Sequence, residues 1–101
     1  MSFDRNKPTT QMLGIWHPWQ DGHTAIFKKA FAETGQVCIM IRDVSEDDNT
    51  FDLIQVTNNI NSVLENEGFA IDDDYMIMYV PNIVDISYGR DAGYTITQHD
   101  L

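Results

Sequence analysis

The stretch His17-Pro18-Trp19-Gln20-Asp21-Gly22-His23 holds two of the three histidines in the chain. A neutral imidazole accepts a hydrogen bond, and an imidazolium stabilises negative charge developing on a phosphoryl group. Gln20 adds a carboxamide donor that carries no charge at any pH. Gly22 presents bare backbone that a ligand can approach closely. The chain has only six Lys and Arg. Two of them, Arg42 and Arg90, stand just after apolar runs. Together these groups describe a binding site for an anion. Each also has a plainer reading: His17 as a partly exposed loop histidine, and the arginines as ordinary surface residues at strand ends.

Such groups need elements to hold them. "MLGIW", Met12 to Trp16, predicts a short strand. Residues 23–34 carry Ile26, Phe27, Ala30 and Phe31 on one helical face, and Gly35 marks the stop. "VCIMI", Val37 to Ile41, is apolar without alternation, as a strand buried on both faces of a parallel sheet requires. A second helix is expected to start near Asn49 or Thr50, with Asp52 in its first turn. Leu53, Val56, Ile60, Val63 and Leu64 form its apolar face, and Gly68 ends it. "YMIMYV", Tyr75 to Val80, reads as a third strand stopped by Pro81, and Ile83 to Tyr88 alternates like a fourth.

This order predicts one α/β domain over residues 1–101, a three-layer Rossmann-like parallel sheet. Right-handed crossovers gather the strand C-termini along one edge. In open sheets of this kind ligands bind outside that edge, where the strand order reverses. His23, Arg42 and Arg90 all map to it. The opening stretch becomes the loop into the first helix, whose N-terminus offers unpaired N–H groups and favours phosphate.

Composition narrows the partners. The formal net charge is −10, from 16 acids against six bases. Such a surface repels phosphate backbones, so no general nucleic-acid binding is expected. No apolar run approaches the roughly 20 residues of a membrane span. The N-terminal residues carry no signal-peptide apolar region, so a cytoplasmic location is expected. Arg5 and Lys7 are expected in a frayed N-terminus. Cys38, the single cysteine, lies inside "VCIMI" and reads as a buried, inert thiol. The acids cluster at Ser45–Asn49 and Asp72–Asp74, either as solvated loops or as a divalent-cation site, although neither run has an EF-hand pattern. The histidines match no metal-binding motif, so no protein metal site is expected. Trp16 and Trp19 flank the loop, where an indole either stacks on a base or covers the edge of the core.

The segment "GIWHPWQDGHTAIFKKA" resembles the strand–loop–helix of the nucleotidylyltransferase superfamily named for its HxGH signature. "GQVCIMIRDV" and "VPNIVDISYGRDAGY" are similar to segments of small phage-encoded nucleotidylyltransferases, and "GRDAG" resembles the adenine-side loop of sulfate adenylyltransferases. The resemblance covers roughly residues 12 to 98. It implies transfer of a nucleoside monophosphate from ATP or CTP, carried with Mg²⁺, to a phosphate- or sulfate-type acceptor, with pyrophosphate released. Gly22 and His23 match the last two signature positions, and His23 would contact the phosphates and stabilise the transition state. Gln20 stands at the first signature position, usually His or Thr, and His17 is the candidate substitute. Trp16, Gly22, His23, Gly89, Arg90 and Asp91 would form the nucleotide site. Asp91 is otherwise a turn or cap residue. Arg42 would clamp the acceptor, on position alone. Relatives carry an ISxTxxR-like segment after the fourth strand, and residues up to Leu101 include none. The expectation is therefore a minimal domain of this type that pairs as a homodimer to cover exposed apolar surface. The alternative is a catalytically degenerate nucleotide-binding or assembly module.

Overall fold

The run Val37-Cys38-Ile39-Met40-Ile41 sits where its unbroken apolar character requires, in the middle of a sheet. The computed structural model describes residues 2–44, 53–90 and 93–99. Its elements run β1 (Thr10–Gly14), α1 (Asp21–Thr34), β2 (Val37–Arg42), α2 (Leu53–Asn66) and β3 (Tyr75–Val80). The three strands pair in parallel in the order β1-β2-β3. Met12 lies beside Ile39 and Ile39 beside Ile77, while Val37 lies beside Tyr75.

Side chains alternate along a strand, so Met12, Val37, Ile39, Ile41 and Tyr75 share one face. There they meet Phe27 and Ala30 of α1 and Val56, Ile60 and Leu64 of α2 in one core. Each fully buried aliphatic side chain stabilises the fold by about 1.5–3 kcal/mol. Phe27 anchors the middle, packing edge-on against Phe69 at 4.8 Å and Tyr75 at 5.7 Å. Both helices therefore cover the same face. Among the described residues the layers number two, where three were expected. Two right-handed crossovers that advance in one direction place their helices on one side. A third layer needs the strand order to reverse, and it does not reverse here.

The fourth strand is also absent among the described residues: Ile83–Tyr88 has no strand assignment and is mostly exposed. Pro81 offers no amide, and an alternating pattern becomes a strand only beside a ladder partner. The first strand lies two residues earlier than expected, and Trp16 falls outside it at φ 54°. The expected start of the second helix and the acidic run Ser45–Asn49 lie outside the described residues. Gly35 closes α1 as expected, at φ 80°, with its N–H donating to Phe31 O at 2.7 Å.

The N-terminal segment is tied rather than frayed. Gln36 is 5% exposed. Its Nε2 donates to Asp4 O (2.6 Å), Thr9 Oγ1 (2.7 Å) and Lys7 O (3.4 Å), while its Oε1 accepts from Asp4 N–H (3.1 Å). Arg5 and Lys7 belong to this segment. Among the described residues no helix is long and apolar enough to cross a membrane.

Candidate functional site

The helix α1 opens with Gln20 as its N-cap, in extended conformation at φ −113° and ψ 168°. His23 is the third helical residue. The Gln20 N–H donates to Nδ1 of His23 at 2.9 Å. This is the return bond of a capping box, with histidine in the place that Glu or Gln usually holds. Because Nδ1 accepts, the neutral ring carries its proton on Nε2. Burial lowers the His23 pKa from its ordinary 6.5, which favours the same neutral form.

Two indoles hold the imidazole. Trp16 meets it edge-on at 4.9 Å and Trp19 at 5.6 Å, with the indoles 5.2 Å apart. Trp16 adopts a left-handed backbone conformation, disfavoured for a large side chain by about 1–2 kcal/mol. Its Nε1 donates to Met40 O at 3.1 Å. Gly14 makes room for it: a Cβ there would stand 2.7 Å from Cε2 and Cζ2 of the indole. Trp19 is 6% exposed, and its Nε1 donates to Thr24 Oγ1 at 2.8 Å. Its own N–H donates to Asn59 Oδ1 at 3.4 Å, which fastens the loop to α2. The tryptophans thus cover the core edge, the plainer of their two readings. Beside them opens a groove of about 270 Å³ walled by Trp16, His17, Pro18, Trp19, Gln55, Val56 and Asn59. His23 does not line it.

The expected site residues fall into two groups. Gln20, Gly22 and His23 form the first turn of α1 with its cap, and Trp16 packs on it. His17 is exposed on the preceding loop. Arg42 ends β2 at the same sheet edge but leaves on the face opposite Ile41, away from the helices. Its Nη1 donates to Ile83 O at 3.3 Å, while Nε is buried with no hydrogen-bond partner among the described residues. Gly89 and Arg90 are exposed beyond β3. Among the described residues no hydrogen bond, ion pair or ring contact joins them to the α1 N-terminus. Asp91 lies outside the described residues.

Sequence reasoning missed Gln55 and Asn59, whose carboxamides border the groove. Their spacing of four on α2, beside Val56, was the available signal, because it puts both on one helix face. Among the described residues no group of three or more His, Cys, Asp or Glu could hold a metal ion. The arrangement offers an anion the first N–H groups of α1 and a neutral imidazole donor. No family model matches this chain, and no curated protein matches it.

Proposed function

We propose that the chain is a minimal Rossmann-like domain of the HxGH nucleotidylyltransferase type, binding ATP or CTP at the N-terminus of α1. The observation that carries this reading is Gly22-His23 in the first turn of α1, directly after β1 of a parallel sheet. Backbone N–H groups there meet the phosphates, and the Nε2–H of His23 donates to them. Mg²⁺ carried with the nucleotide would neutralise charge on its phosphates. An oxygen of a phosphate- or sulfate-type acceptor bonds to the α-phosphorus as the bond to pyrophosphate breaks. The protein contributes position and charge stabilisation rather than a covalent intermediate. Arg42, whose buried Nε has no hydrogen-bond partner among the described residues, stands at the same sheet edge and is the candidate clamp for the acceptor. The setting for this chemistry is the cytoplasm.

The test is calorimetric titration of ATP and CTP with Mg²⁺, paired with a pyrophosphate-release assay. Replacing His23 with Gln keeps a capping acceptor but removes the imidazole. It is expected to weaken binding by about 1.5–3 kcal/mol, the range for a charge-assisted hydrogen bond. Unchanged affinity in His23→Gln overturns the assignment. A second reading is a non-catalytic nucleotide-binding or assembly module, in which Gly89 and Arg90, both exposed, take no part in catalysis. Tight nucleotide binding without pyrophosphate release selects it.

A further inference from the structure

The second face of the sheet carries six apolar side chains, Leu13, Cys38, Met40, Met76, Met78 and Val80, with Gln11 and Arg42 beside them, by the alternation that sends Val37, Ile39 and Ile41 into the core. Neither α1 nor α2 covers it. Five of these six side chains stay partly exposed, and only Cys38 is buried. Three of the five methionines in the chain lie here. Methionine is flexible and polarizable, and it suits a surface that must receive another.

The chain also carries an unused apolar surface of the opposite shape. Beyond Pro81 it runs out as an arm whose large side chains face solvent: Val84 (82% exposed), Ile86 (59%), Tyr88 (56%), Tyr94 (68%) and Ile96 (67%). These are all even-numbered, so an extended backbone places them on one side. The Tyr88 and Tyr94 rings meet edge-on at 5.8 Å, which brings the two halves of the apolar run together. The arm is therefore a broad apolar strip. Arg42 holds its root at the C-terminal end of the second face, through the bond from Nη1 to Ile83 O. Beyond that bond, nearly all of the described residues of the arm are exposed.

We propose that the arm of one copy covers the second sheet face of another copy, and that the exchange is reciprocal. Each chain supplies one donor strip and one receiving face, so a single two-fold closes the assembly with nothing left over. Each strip offers on the order of 500 Å² of apolar surface. The receiving faces, whose side chains are only partly exposed, add roughly half as much each, so two strips and two faces together bury about 1,500 Å², within the range of a stable interface. Charge favours this approach over others. Chains of net charge −10 repel, yet the receiving face carries no acid and the described part of the arm only Asp85. This inference does not depend on nucleotide binding.

Sedimentation velocity on the full chain tests it, with circular dichroism to confirm that each variant is folded. The wild type is expected to be a dimer at tens of micromolar. The arm variant Ile86→Asp/Ile96→Asp touches no core residue, and it should dissociate about tenfold or more easily while keeping its helical signal. Met78→Glu, on the receiving face, should do the same. Mixing the two variants restores one intact arm-to-face contact, so a heterodimer should reappear. A monomeric wild type at about 100 µM, or an arm variant that dimerises like the wild type, overturns the proposal. If Met78→Glu does not fold, the arm variant alone decides. If it folds, failure of the mixture to form heterodimer also overturns the exchange.

Discussion

His23 can be removed in two ways that separate its roles. His23→Ala deletes the acceptor for the Gln20 N–H and both ring contacts with Trp16 and Trp19. Loss of a cap acceptor costs about 1 kcal/mol. Loss of the edge-on ring contacts costs about 0.5–1.5 kcal/mol each. The alanine variant should therefore lose about 2–4 kcal/mol. His23→Gln restores an acceptor at a position where glutamine is a natural capping-box residue, so it should be about 1 kcal/mol more stable than the alanine variant. Urea denaturation followed by tryptophan fluorescence reads the difference, which in a domain of this size corresponds to a shift of about 4–8 °C in Tm. Acid adds a second readout. Burial lowers the folded-state pKa of His23 below its ordinary 6.5, so the unfolded chain takes up the proton first. The contribution of the neutral ring is thus complete above pH 6.5 and is lost as pH falls through the folded value. Both variants should lack this slope. Equal stabilities for the alanine and glutamine variants, or an acid slope that survives in both, would refute the capping geometry.

Gly14→Ala drives a Cβ into the Trp16 indole, so it should destabilise the domain by about 1–3 kcal/mol and shift the tryptophan emission. An unchanged spectrum would mean that the indole does not lie over β1. Tyr75 is fully buried, and burial first, then Glu65, Asp72 and Asp74, push its pKa up to about 12. The unfolded chain ionises near 10, so this residue should cost the fold stability as pH rises from 10 to about 12. Tyr75→Phe should remove that alkaline loss. At neutral pH it should cost about 1 kcal/mol for the bond to Asn61 Oδ1, and urea melts at both pH values check the two effects. Cys38 is 7% exposed and burial raises its pKa, so thiol reagents should modify it only as fast as the sheet opens. Immediate labelling of the native protein would contradict its place in β2.

The central strand and both helices were legible because their patterns are strong. Val37–Ile41 and Tyr75–Val80 have unbroken apolar character, and the faces of Phe27–Ala30 and Val56–Ile60–Leu64 repeat at helical spacing. Ile83–Tyr88 misled because alternation records an amphipathic strip and not the neighbour that makes it a strand. Trp16 misled because hydrophobicity extends the first strand through it, while its actual position depends on the absence of a Cβ at Gly14. In the site, the apolar spacing of residues 23–34 put His23 in the first turn, whereas the helix begins two residues earlier, at Asp21, and takes in Gly22. That His23 would spend Nδ1 on its own helix cap could not be foreseen, because the motif usually calls for Glu or Gln. Asn59 and Gln36 were invisible for a common reason. A polar side chain that bonds to backbone far away in sequence leaves no local pattern.

The bonds of Gln36 bear on where this domain begins. By secondary structure alone the first necessary residue is Thr10, the start of β1. A chain cut there would keep every strand and helix, yet it would strip Asp4, Lys7 and Thr9 from a carboxamide that is 5% exposed. The cut would forfeit those hydrogen bonds, each worth about 0.5–1.5 kcal/mol net, and together they are a large share of the roughly 5–15 kcal/mol that holds a small domain folded. The eight residues from Phe3 to Thr10 are thus part of the folding unit, even though only Thr10 belongs to a regular element. The boundary is set by the needs of one amide in the interior, not by the first turn of helix or rung of sheet.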